Sequence, residues 1–198
     1  MATETQPIET SALLVIDVQE SFRADEARWA RRNNPGFESS LTRLIDAYRQ
    51  AERPVIWVVH EDADEHFLPG SPYLALQPFL HRRQDEPLLH KRTRNAFTST
   101  DLAERLAALG VRRIAITGIQ TEQCCETTAR VAGDLGYDVD FVTEATLTFP
   151  ITDPATGDVQ PADAITRATE FSLRGRFARI ATVSALAAEL ETLAACSA

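Results

Sequence analysis

The chain has 198 residues, 44% of them hydrophobic and 25% charged, with a formal net charge of −9. That composition suits one soluble globular domain with a core of useful size. The acidic balance, with an isoelectric point near 4.9, repels nucleic acid and anionic membrane at long range, so neither is expected as a partner.

Residues 1–10, MATETQPIET, read as a frayed tail ahead of a single domain over 11–198. They lack a basic segment followed by an apolar one, and no apolar run in the chain is long enough to span a bilayer. The first strand signal is ALLVID at 12–17, an apolar run that ends in an acid. Residues 38–51 follow with Leu41, Leu44, Ile45 and Tyr48 at helical spacing. PVIWVVH at 54–60 is a second strand, and 61–86 is a loop-rich insertion. PLLHK at 87–91 is a weaker strand signal. A helix is expected over 101–109, with Leu102, Leu106 and Leu109 on one face, then a strand at 112–118, RRIAITG. DVDFVT at 138–143 and ARIATV at 178–183 look like further strands. Between them lie a second loop-rich insertion, 148–162, and a helix-compatible stretch, 163–174. Residues 184–195 are a last helix. Continuous apolar runs, rather than alternating ones, suit strands buried on both faces of a sheet. Strand then helix, repeated, predicts the α/β class: a three-layer α/β/α architecture with an open, mainly parallel sheet.

In such folds the working residues lie beyond the carboxyl ends of the strands. Four chain-distant segments deliver chemistry there: an acid at Asp17, a histidine at His60, a lysine at Lys91, and a cysteine pair, Cys124 and Cys125, in GIQTEQCCETTAR (118–130). Thr121 is a suitable N-cap, and Cys124 then falls in a first helical turn, where the dipole and free N–H groups favour a thiolate. Cys125 lies roughly 100° further round and is expected to pack with Thr128, Ala129 and Ala132. Cys196, near the C-terminus, receives no role. The chain's three cysteines, an odd number with two adjacent, do not make a disulfide framework, which points to a reducing, cytoplasmic setting. An acid ending an apolar strand must be paired or hydrogen-bonded. A thiol needs a base, and a lysine beside both keeps carboxylate and thiolate charged.

The segments LLVIDVQESF (13–22), KRTRNAF (91–97), GIQTEQCCETTAR and GYDVDFVTEAT (136–146) appear in an order that resembles the isochorismatase-like cysteine hydrolases. That superfamily includes nicotinamidases, N-carbamoylsarcosine amidohydrolase and many other amidases. The resemblance implies an isochorismatase-like fold and, through Gly118 and Thr121, selects Cys124 as nucleophile, with Asp17 as base and Lys91 as the third catalytic residue. It also implies a non-proline cis peptide between Ile119 and Gln120, and an oxyanion hole built from the Gln120 and Cys124 backbone N–H groups. A Thr121 cap on the Cys124 N–H would compete with that hole. The implied reaction is hydrolysis of a small amide or carbamoyl compound through a thioester, without a cofactor, in a homodimer or larger homo-oligomer. Phe22, five residues after the aspartate, is the candidate pocket wall. His60 lines the site or caps its strand, and Trp29, Phe67, Tyr73 and Phe97 are further wall candidates.

Two rivals stand beside this reading. The first is a metal-dependent amidase of the nicotinamidase type. Such enzymes carry an Asp-X-His unit after the second strand, but HEDADEH (60–66) has Asp64 where the first histidine belongs, so no metal site is expected. The second is a catalytically inert family member serving as an oligomerisation module; intact Asp17, Lys91 and Cys124 weigh against it. Retention of Cys124 also argues against vinyl ether cleavage, the reaction of true isochorismatases.

Overall fold

The computed structural model describes residues 5–197. Six strands make one sheet: β1 (Ser11–Ile16), β2 (Val55–His60), β3 (Leu88–Lys91), β4 (Arg113–Ile119), β5 (Asp138–Leu147) and β8 (Arg179–Ile180). Their order is β3-β2-β1-β4-β5-β8, and every pairing is parallel. Every residue of β1, β2 and β4 is buried, as continuous apolar runs require when helices cover both faces. The pleat sends alternate residues into two cores. Leu13, Val15, Trp57 and Ala115 pack with helix α2 (Phe37–Gln50) and helix α6 (Val183–Ser197). Ala12, Leu14, Ile16, Ile56, Val58, Ile114 and Ile116 pack with α3 (Leu102–Ala108) and α4 (Glu126–Asp134). Helix α5 (Ala162–Leu173) adds Leu173 to the second core. A short helix, α1 (Glu26–Trp29), and a hairpin, β6 (Ile151–Thr152) with β7 (Val159–Gln160), lie in the connections. This is the expected three-layer α/β arrangement.

The differences from expectation sit at element ends and in connections. Strand β5 runs on to Leu147 through a register shift opposite Ile116 and Gly118. Strand β8 shrinks to two residues, since only Asp140 and Phe141 pair with it at the sheet edge. Residues 5–10 are not a free tail: the Arg113 guanidinium donates to Gln6 O at 3.3 Å, Arg112 N–H donates to Thr10 O at 2.9 Å, and Arg53 reaches Glu9 O. Residues 1–4 of the predicted tail lie outside the described residues. The 61–86 insertion is tied across the end of β1. Glu20 N–H donates to Ala75 O at 2.9 Å, Gln77 N–H donates to Val18 O at 3.0 Å, and the Ser21 hydroxyl lies within hydrogen-bond reach of both His66 O and Tyr73 O.

Two backbone positions shape the strand ends. Asp17 follows β1 with φ 55°, a left-handed conformation that aspartate tolerates better than most residues. Gly118 has φ 125°, and a Cβ there would lie 1.9 Å from Ile16 O. Only glycine fits this close approach of β4 to β1.

Candidate active site

The carboxyl ends of β1, β2, β3 and β4 are consecutive neighbours in the sheet, so the four segments singled out in the sequence converge. His60 and Lys91 are paired across β2 and β3. Asp17 N–H donates to Val58 O at 2.8 Å, which docks the first residue after β1 beside β2. Lys91 lies at the centre, fully buried. Its Nζ is 2.8 Å from Asp17 Oδ2, 3.3 Å from Cys124 Sγ, 3.1 Å from His60 Nδ1 and 3.2 Å from Thr93 O. The acid, lysine and thiol are thus in direct contact. His60 joins them through the same ammonium.

The electrostatics differ from the expected thiolate. Burial pushes the Cys124 thiol up to about 12, and the Asp17 charge adds to this while Lys91 opposes it. Burial also raises Asp17 above its ordinary carboxylate value, against the pull of Lys91. The first-turn dipole does not overcome a site that is nearly dry; Cys124 is only 4% exposed. Burial thus disfavours the charged form of both groups, and Lys91 opposes it at each. Cys125 is fully buried among Ala129, Ala132 and the second core, and its thiol is pushed well above the usual range by burial. Cys196 is exposed.

The loop carrying Cys124 departs from a plain helical start. The Ile119–Gln120 peptide is cis, as the resemblance implied. Residues Thr121–Cys125 form one turn of π-helix in which Cys125 N–H donates to Gln120 O at 3.2 Å. Such turns recur at functional sites. Thr121 does not cap it: its hydroxyl donates to Thr146 Oγ1 at 2.9 Å, which anchors the turn to β5. The competition between a Thr121 cap and the Cys124 N–H therefore does not arise. Among the described residues, Gln120 N–H has no protein acceptor, and Cys124 N–H has none outside its own turn.

Around this centre, Phe22 is buried and packs edge-on against Phe67 at 5.2 Å between centroids. Phe67 in turn meets His60 at 5.9 Å, and Phe149 lies 6.3 Å beyond Phe22 and 6.2 Å from Trp29. An aromatic row thus leads from His60 along one side. Phe149 was missed in the sequence because it stands in a loop with no periodic pattern. Tyr73 pairs instead with His66 near the surface, and Phe97 stacks on Tyr137 in the second core. Gln19 was also missed. Its side chain accepts from His60 N–H at 2.8 Å and donates to His60 O at 3.0 Å, fixing the end of β2.

His60, the first residue of HEDADEH, is poorly placed to hold a metal. Burial, with the Lys91 and Arg94 charges, holds His60 below its ordinary value. Its two ring nitrogens face Lys91 Nζ at 3.1 Å and Arg94 Nη1 at 2.8 Å. A further cation would be repelled there, and no cluster of three or more histidine, cysteine or acidic side chains that could hold an ion occurs among the described residues.

A parallel sheet with a buried acid, lysine and thiol at adjoining strand ends defines a hydrolase of the three-layer α/β class. This chain belongs to the isochorismatase family, whose Isochorismatase domain model matches residues 11–183. It is 30% identical over 147 residues to the isochorismatase family protein YrdC of Bacillus subtilis, covering 73% of this chain and 78% of that one. It is 32% identical over 154 residues to Nicotinamidase 3 of Arabidopsis thaliana, covering 70% and 74%. The crystal structure of an isochorismatase-family protein from Chromobacterium violaceum superposes with a TM-score of 0.87 at 29% identity, over 97% of this chain and 99% of that one. Among the described residues, no helix is long and apolar enough to cross a membrane.

Proposed function

We propose that this protein is a cysteine hydrolase that cleaves the C–N bond of a small amide or carbamoyl compound through a thioester intermediate. The observation that carries the reading is the Lys91 ammonium, buried and in contact with both Asp17 Oδ2 at 2.8 Å and Cys124 Sγ at 3.3 Å. Asp17 takes the thiol proton as Cys124 attacks the carbonyl carbon. Lys91 stabilises the negative charge on whichever of the two bears it. The oxyanion is received by the Gln120 and Cys124 N–H groups. Asp17 returns its proton to the departing nitrogen, and the C–N bond breaks to leave a thioester and ammonia or an amine. Water then attacks the thioester, Asp17 again taking a proton, and the free acid leaves as the thiol re-forms. A raised carboxyl pKa suits this shuttle, because the base must hold the proton between steps.

Phe22 and the adjoining aromatic row give the pocket an apolar side, and His60 a polar one, which favours a small, partly apolar substrate. The donor set around His60 supports a reaction without a metal. The similarity to a nicotinamidase supports amide chemistry while leaving the substrate unassigned. We further infer a cytoplasmic homodimer or larger homo-oligomer. Sedimentation giving one chain per particle would refute the assembly.

The test is ammonia release from a panel of small primary amides, with Cys124→Ala as the control. Mass spectrometry of acid-quenched enzyme should show an acyl adduct on the peptide containing Cys124. An active Cys124→Ala variant would rule the mechanism out.

A further inference from the structure

Beside the site stands a guanidinium whose hydrogen-bonding capacity the protein leaves largely unused. Arg94 lies three residues beyond Lys91, and its Nη1 is 2.8 Å from His60 Nε2. Burial first, then the Lys91 charge, holds His60 below its ordinary value, so the ring is neutral near pH 7 and carries one N–H. Lys91 Nζ, 3.1 Å from His60 Nδ1, is a donor only. Lys91 and Arg94 are both obligate donors and a neutral ring offers one lone pair, so the ring satisfies only one of them; Lys91 has Asp17 Oδ2 and Thr93 O as further acceptors. His60 Nε2 also lies 3.2 Å from Asp62 Oδ2. Arg94 Nη1 therefore has at most that one lone pair as its acceptor, and no hydrogen bond from Nε or Nη2 of Arg94 occurs among the described residues.

No carboxylate takes up the rest of the guanidinium. The nearest carboxylate oxygen, Asp62 Oδ2, is 4.0 Å away, and the Arg94 side chain is 55% exposed, a setting in which an ion pair contributes little. Asp62 is already engaged: Oδ2 by His60 and Oδ1 by Asp64 N–H at 2.8 Å. The neighbouring acid, Glu61, is held by His90 at 2.6 Å and lies 3.7 Å from Arg92. A planar cation with free donors therefore stands one imidazole ring away from the Lys91–Cys124 pair.

From this geometry we infer that Arg94 is a specificity-determining residue that receives a carboxylate on the substrate, so that the enzyme acts on small amides bearing an anionic group. The inference rests on Cys124 being the reacting residue, as proposed above. Guanidinium geometry matches a carboxylate with two parallel hydrogen bonds. Bound there, the carboxylate supplies acceptors for the guanidinium N–H groups that His60 does not engage. A neutral amide of the same size leaves those donors to water alone. The discrimination expected from such a contact is about ten- to hundredfold in kcat/KM.

The test compares two alkylating probes of similar size at Cys124, iodoacetate (anionic) and iodoacetamide (neutral). In each case an S–C bond forms, iodide leaves and the thiol proton is lost. Rates are read by mass spectrometry of the Cys124 peptide for the wild type, Arg94→Ala, Arg94→Gln and Arg94→Lys, each checked for fold by circular dichroism. The ratio of the iodoacetate rate to the iodoacetamide rate should fall at least about tenfold in the Ala and Gln variants, within the scale of a charge-assisted hydrogen bond, and stay intermediate in Lys. An unchanged ratio, or no alkylation of Cys124 by either probe, overturns the inference. The readout needs no turnover. If the ratio shifts as expected while succinamate and butyramide are both left intact, the anion site stands and the amide-hydrolase reading falls.

Discussion

A thiol pushed up to about 12 is a poor nucleophile until its proton has somewhere to go. That makes the neighbouring carboxylate as necessary as the sulfur. Replacing Cys124 with alanine should abolish turnover while the circular dichroism spectrum stays native. Cys125→Val should leave kcat/KM within about tenfold, because it exchanges small apolar groups in the core; loss of activity there would reassign the nucleophile. Asp17→Asn and Lys91→Met should each slow acylation by about a hundredfold or more, and the double variant should cost much less than the product of the two. The pH profile follows from the sign of the Asp17 shift. The base works only when unprotonated, and burial raises its pKa above the ordinary 3.8. The acid limb of kcat/KM should therefore lie above the usual carboxylate range and disappear in Asp17→Asn. An acid limb at or below 3.8 would remove Asp17 as the base.

The elements that hold these residues were legible in the sequence to different degrees. The buried strands β1, β2 and β4 announced themselves by unbroken apolar runs, and the helices by their leucine spacing. With them came the relative placement of Asp17, His60, Lys91 and Cys124. What was not legible depended on contacts distant in sequence. The Thr121–Thr146 bond and the grip of Gln19 on His60 are set by partners 25 and 41 residues away, and periodicity carries no trace of them or of the π-turn. The upward shift of the Cys124 thiol was not legible either, because a dipole can be read from a helix start, whereas burial can be read only from packing. At the far end of β2, Trp57 Nε1–H donates to Glu86 at 2.7 Å, and Arg49 Nε and Nη2 donate to the same carboxylate at 2.7 and 2.9 Å. Burial alone would raise Glu86, but the bonds from Arg49, Arg83 N–H and Trp57 outweigh it and hold Glu86 below its usual 4.5. With the folded value depressed, its stabilisation is present above the unfolded value and is lost as pH falls through the folded one. Glu86→Gln should cost about 2–4 kcal/mol at pH 7. The gap should narrow below pH 4.5 in chemical denaturation; a gap independent of pH would contradict this account. Gly118→Ala should fail to give soluble protein or lose all activity, given a Cβ 1.9 Å from Ile16 O.

Across the whole molecule, the two ends of the sheet are organised differently. The carboxyl ends hold the site. At the other end, Arg113 is buried between Asp140 at 2.6 Å and Glu189 at 2.7 Å, and Arg179 bonds Asp140 at 2.7 Å, so β4, β5, β8 and α6 are joined by one charged network. The site's own charges need no added ion for balance, and this bears on a test of the intact enzyme. Activity should survive prolonged dialysis against a strong chelator, with elemental analysis finding well under one metal per chain. Loss of activity restored by zinc, manganese or iron would return the protein to the metal-dependent amidases.

The aromatic row has one further consequence. The Asn34 side chain donates to Glu144 O at 2.9 Å and to Thr146 O at 2.7 Å. Asn33 exchanges bonds with Thr148, its N–H donating at 3.1 Å and its side-chain oxygen accepting at 2.9 Å. These two asparagines sit between α1, which bears Trp29, and α2; the residues they hold lead straight to Phe149. The segments that carry the two rings are therefore stitched to each other by these bonds. At 6.2 Å between centroids the rings leave no gap between them, so under the proposed function this side of the pocket is a solid wall whose outline is that of the rings. New substrate range on that side will come from changing the rings themselves, one side chain at a time.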